Sequence, residues 1–179
     1  MKPAITHLAR AIPPPEAPRT HDWARVEDEL GTVLPGDYKQ LLGLYGGGLF
    51  DKAIWLLEPD CPNTYYDLLT ENRECRSSAR AVEGRGAQAR RTGRSGIPHH
   101  RVGRYGERDC LYWLVRPGEE PEQWTVAIKE GHGREREFHA QSCSAFLRPI
   151  LVAGDIESDL FYDLPTEEAH QFAPSAGFL

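Results

Sequence analysis

The sequence predicts an α+β fold, with N-terminal helices first, an antiparallel β-sheet meander after them and a C-terminal helix last. Apolar stripes at helical spacing fill residues 20–45, short alternating runs bounded by turn residues fill 109–140, and helical spacing returns at 142–154. The chain of 179 residues has the length of one domain, and 40% hydrophobic with 27% charged residues is a globular composition.

Residues 1–19 read as an N-terminal arm, about one helical turn, closed by the stiff Pro-rich linker PPPEAP (13–18). In THDWARVEDELG, Trp23, Val26 and Leu30 fall on one helical face; Thr20 or Asp22 can cap the start and Gly31 ends it. In LPGDYKQLLGLYGG, Pro35 suits a first turn, and Tyr38, Leu41, Leu42 and Tyr45 form the next stripe. Gly43 inside that helix costs ~1 kcal/mol against alanine. Gly46 is placed to stop the helix, and LFDKAIWLLEP (49–59) reads as a strand.

YYDLLTENREC has the pattern of a short helix. GRGAQARRTGRSG (84–96) has almost no apolar content, so the basic segment 73–108 reads as a mobile insert in a domain spanning 20–154. DCLYWLVR (109–116), QWTVAIKE (123–130) and REREFHA (134–140) then give three strands joined by the turns PGEEPE and GHG. SCSAFLRPILVAG (142–154) is helical in spacing, with Ser142 or Ser144 as cap and Pro149 predicting a kink or an early break. Residues 155–179 form an acidic C-terminal tail.

Charge is uneven. The net charge is −6, yet residues 73–108 hold ten arginines against three glutamates, a local +7 that leaves −13 on the remainder. An acidic total disfavours a general nucleic-acid binder. The four cysteines, Cys61, Cys75, Cys110 and Cys143, make no CxxC pair, so reduced thiols are expected rather than structural zinc or disulfides. No apolar h-region opens the chain, and no run approaches the ~20 residues of a membrane span, which predicts a cytoplasmic protein without membrane contact.

The chemistry-bearing motifs resolve into structural ones. LYGGGLF (44–50) invites a phosphate-loop reading, but it follows a helix, precedes a strand and lacks the Lys-Ser or Lys-Thr that phosphate binding needs. TGRSG (92–96) lacks the spacing of a nucleophile elbow. The seven histidines form neither HxxxH nor HExxH, and His99–His100 sits in a basic loop. Trp55, Trp113, Trp124, Tyr38 and Tyr45 fall on apolar faces, as core residues do. Glu119–Glu120 and Glu167–Glu168 are adjacent acids of a turn and a tail. No catalytic residue, cofactor, metal or small-molecule substrate follows from these patterns.

Trp23-x-x-Val26-Glu27, Leu30-Gly31, Leu34-Pro35-x-Asp37-Tyr38 and Tyr45-Gly46-x-Gly48-x-Phe50 resemble the opening of SUKH-superfamily domains. Asp109-x-Leu111-x-Trp113, Trp124-Thr125-Val126 and Phe146-Leu147 with Leu151 and Gly154 continue the resemblance. It implies a non-enzymatic protein-binding domain, in bacteria most often an immunity protein that masks a cognate toxin. Many such toxins are basic, and the acidic run Asp155, Glu157, Asp159 and Asp163 with Phe161 and Tyr162 is the expected partner-binding surface. The alternative is a regulatory or nucleic-acid-associated scaffold acting through the Arg-rich 73–108 segment; a third is an enzyme whose Cys and His residues meet only in space.

Overall fold

A computed structural model of the chain describes residues 1–16, 20–83, 99–106, 109–130, 136–154, 158–161, 164 and 170–178. Its helices are α1 (Pro3–Ala11), α2 (Trp23–Leu30), α3 (Gly36–Tyr45), α4 (Leu68–Glu83) and α5 (Cys143–Arg148). Its strands are β1 (Gly48–Phe50), β2 (Ile54–Leu56), β3 (His99–Tyr105), β4 (Asp109–Leu114), β5 (Thr125–Lys129), β6 (Arg136–His139) and β7 (Phe172–Pro174). The strands pair antiparallel in one seven-stranded sheet, ordered β6-β5-β4-β3-β2-β1-β7. The α+β class is therefore the one the sequence predicts.

The helical stripes do what their spacing requires. Val26 and Leu30 of α2, and Tyr38, Leu41, Leu42 and Tyr45 of α3, are buried. Asp22 caps α2 by accepting from the Arg25 N–H at 3.2 Å, and Gly31 closes it in the left-handed conformation. Over the sheet face carrying Leu111, Trp113, Val126 and Ile128, Tyr38 meets Trp113 edge-on with ring centroids 4.8 Å apart. Its hydroxyl donates to the Leu57 carbonyl at 2.6 Å, so the ring is buried without leaving a polar group unpaired. Each such large apolar side chain contributes roughly 1.5–3 kcal/mol of burial.

The structure departs from the sequence reading at five places. The N-terminal arm is a nine-residue helix whose Ile5 and Leu8, with Ile12 just beyond it, are fully buried; the Ile12 carbonyl accepts from the Tyr45 hydroxyl at 2.7 Å. The run 49–59 is a hairpin rather than one strand, because Asp51 and Lys52 both take positive φ (48° and 56°) and turn the chain. The short helix continues to Glu83, so the basic segment begins inside α4.

His99 and His100 belong to β3, not to a loop, and the His100 ring stacks on Trp124 at 6.0 Å. The C-terminal tail returns to the sheet as β7, beside β1. At Pro149, where the sequence predicts a kink or an early break, the α-helix ends and widens into a π-turn over Pro149–Ala153, with the Gly154 N–H reaching back five residues to the Pro149 carbonyl at 2.7 Å. The expected loop 84–96 and the GHG turn lie outside the described residues.

Beside the N-terminal half of β3, where β2 has ended, α4 takes the place of a neighbouring strand. The Asn72 amide donates to the Arg101 carbonyl at 2.9 Å and accepts from the Arg101 N–H at 2.7 Å. A side-chain amide thus supplies the donor and acceptor that a strand backbone would.

Candidate partner-binding surface

Of the six residues expected at the partner surface, Asp159 and Phe161 are among the described residues; Asp155, Glu157, Tyr162 and Asp163 lie outside them. Asp159 is exposed. Phe161 is not: it is 4% exposed, with its ring 4.4 Å from Tyr105 and 6.0 Å from Phe146. An apolar ring between the half-buried Tyr105 and the core ring of Phe146 is drawn inward. Phe161 therefore fastens the acidic segment to the core and is not itself an exposed anchor.

A carboxylate on β6 completes the fastening. Glu137 accepts from the Ser158 hydroxyl at 2.6 Å, the Asp159 N–H at 2.8 Å and the Leu160 N–H at 2.9 Å, with His139 Nε2 at 3.2 Å. Burial pushes the Glu137 pKa up, but these donors outweigh it and hold the carboxyl below its ordinary value. The Ser158 hydroxyl in turn accepts from the Leu160 and Phe161 N–H groups at 3.2 and 3.0 Å. Nothing in the spacing of the sequence pairs Glu137 with Ser158, so sequence reasoning missed this clamp.

The arginines of the 73–108 segment with described side chains are engaged with other residues of the chain. Arg73 pairs with Glu29, Arg76 donates to the Leu30 carbonyl at 2.9 Å, and Arg101 and Arg104 share the buried Glu71. Arg101 also donates to the Tyr112 hydroxyl at 3.1 Å.

The buried carboxylates likewise hold structure. Asp37 binds Ser144, Asp51 binds His170 and Gln171, and Glu58 binds Gly47 and Ser175. No disulfide joins the four cysteines, and burial pushes the thiols of Cys61, Cys75 and Cys143 up, away from the thiolate that a nucleophile needs. Among the described residues no three His, Cys, Asp or Glu side chains are grouped to hold a metal ion, and no helix is long and apolar enough to cross a membrane.

The residues that carry the resemblance are structural in the same sense. Glu27 accepts the Leu34 N–H at 2.8 Å and pairs with Lys39, and Tyr38 and Tyr45 are buried under hydroxyl bonds to distant carbonyls. Among known proteins, the sequence model of the SMI1 / KNR4 family (SUKH-1) matches residues 18–148. No curated protein and no solved structure gives a significant match.

Proposed function

Because the chain belongs to the SMI1 / KNR4 family (SUKH-1), we propose that it is a cytoplasmic, non-enzymatic protein-binding module, an immunity protein that neutralises a bacterial toxin by masking it. The observation that supports this reading is the anchoring of the acidic segment. Glu137 takes three donors from residues 158–160, and Phe161 is sunk in the core. An acidic surface draws in a basic partner by charge. The −13 carried outside residues 73–108 acts in the same direction.

The proposed surface is Asp155, Glu157, Asp159 and Asp163, with Tyr162 beside them. The test is co-expression with the product of the neighbouring toxin gene. Changing the four acids to Asn or Gln should abolish protection and make the residual association insensitive to salt. Undiminished protection by that variant, at equal soluble level, removes this surface from consideration.

A further inference from the structure

Residues 170–178 lie beyond the span matched by the family model, which ends at 148, yet their anchoring side chains meet shaped partners on the β1–β2 hairpin and the chain after it. His170 Nδ1 lies 2.8 Å from Asp51 Oδ2, and the Gln171 N–H donates to Asp51 Oδ1 at 2.7 Å. The backbone continues the contact, with the Asp51 N–H on the Gln171 carbonyl at 3.0 Å and the Ser175 N–H on the Gly47 carbonyl at 2.9 Å. Phe172 enters an aromatic cluster, 4.7 Å from Phe50 and 5.0 Å from Tyr45. The Ser175 hydroxyl donates to Glu58, and the Phe178 ring lies 5.0 Å from Trp55, which is itself stacked on Tyr66 at 3.5 Å.

The seat is made for an occupant. Glu58, 1% exposed, divides its carboxylate between the two sides: Oε2 accepts the Gly47 N–H at 2.8 Å and Oε1 accepts Ser175. The Asp51 side chain is fully buried, and the bonds from His170 and Gln171 come from the arriving segment. Most tellingly, a Cβ at Gly48 would stand 2.4 Å from the Ala173 carbonyl oxygen and 2.6 Å from the Phe172 ring. The glycine suits its own backbone, at φ 158°, and it also leaves room for the segment lying on it.

We propose that this hairpin, with Glu58 and Trp55, is a strand-acceptor site for a peptide of pattern His-x-Phe-x-Pro-Ser-x-x-Phe, extended over its Phe-x-Pro and closed by a 3₁₀ turn, which the chain fills with its own residues 170–178. Recognition is strand addition: backbone pairing to β1 supplies affinity, and the Phe172, Ser175 and Phe178 positions supply specificity. The tether keeps the local concentration high, so a modest intrinsic affinity suffices to keep the site filled. A second copy of the chain, or another protein carrying the pattern, would compete for the same seat. The proposal is independent of the acidic surface.

The test uses the full-length chain with a protease site inserted between Leu164 and His170, cut after folding. The released segment should stay bound through native mass spectrometry and exchange with excess fluorescein-labelled 170–179 peptide. The Phe172→Ala and Ser175→Ala peptides should compete at least about tenfold less well. A segment that never exchanges, or whose departure unfolds the body by near-ultraviolet circular dichroism, belongs to the fold and overturns the proposal. So does an emptied, folded body that ignores the labelled peptide at millimolar concentration, or one that takes a scrambled peptide equally well.

Discussion

Asp37 and Ser144, 107 residues apart and both buried, are joined by two hydrogen bonds: Asp37 Oδ2 accepts from the Ser144 backbone N–H and from its hydroxyl, each at 2.9 Å. Asp37 lies in the first turn of α3 and Ser144 in the first turn of α5. Ser142 occupies the N-cap position of α5 but its side chain makes no capping bond, so a carboxylate from another helix caps α5 instead. The bond also fixes where α5 starts over the sheet, and with it Phe146, the ring on which Phe161 rests.

Removing Asp37 should therefore cost more than removing its partner. Asp37→Ala leaves two buried donors of Ser144 unsatisfied and is expected to destabilise the protein by about 2–4 kcal/mol. Ser144→Ala deletes one donor but leaves the backbone N–H paired, at about 1 kcal/mol. Urea unfolding of the two variants should show that order; equal midpoints would mean that the hydroxyl, not the cap, is the important partner.

The stripes of α2 and α3 were legible because helical periodicity marks a buried face whatever lies against it. The elements that escaped are those whose partners are distant. Asp51-Lys52 turns the chain without the Asn-Gly or Asp-Gly that marks such a hairpin, and the partners of the Asp51 carboxylate, residues 170–171, are remote in sequence. HHRVGRY is read poorly as a strand because two of its side chains, Arg101 and Arg104, answer to Glu71 on α4. The acidic segment was visible as charge, but the Glu137 clamp was not, since a single glutamate in an exposed strand carries no pattern. The triple glycine was read correctly as a fold marker: Gly46 closes α3 with φ 71°, and Gly47 and Gly48 admit Glu58 and β7.

The glycines of that region separate cleanly by what surrounds them. A Cβ at Gly43 would meet nothing within 4 Å, so its flexibility serves no packing purpose. Gly43→Ala should stabilise by about 0.5–1 kcal/mol, raising Tm by a few degrees. At Gly47 a Cβ would lie 2.6 Å from the Glu58 side chain, and at Gly103 2.7 Å from the Trp55 carbonyl oxygen. Both alanine variants should lose about 1–3 kcal/mol. Thermal melts of all three, compared in one buffer, give the signs directly.

Acid should loosen the anchored segment. Burial raises the Glu137 pKa, but donors from Ser158, Leu160, His139 and Asp159 bring it below its ordinary 4.5. A carboxyl with a lowered folded pKa contributes stability that is fully present above the unfolded value and is lost as pH falls through the folded one. Amide exchange at Asp159, Leu160 and Phe161 should therefore stay slow from pH 7 to about 5 and rise below it, after correction for intrinsic rates. Glu137→Gln should show the faster exchange already at neutral pH, with little further change in acid.

Glu71, 2% exposed, is paired with both Arg101 and Arg104, whose side chains are each 15% exposed. Truncating the shared carboxylate strands two guanidinium groups in a partly dry site, and Glu71→Ala should cost about 3–5 kcal/mol. The geometry makes the two arginines unequal. Arg101 retains the Tyr112 hydroxyl and the Asn72 bonds to its backbone, whereas Arg104 keeps a ring contact with the exposed Tyr65, 5.9 Å away. Combining Glu71→Ala with Arg104→Met should then recover more stability than combining it with Arg101→Met. A double-mutant cycle reads this difference, and the opposite order would show that Arg104 is the arginine on which β3 depends.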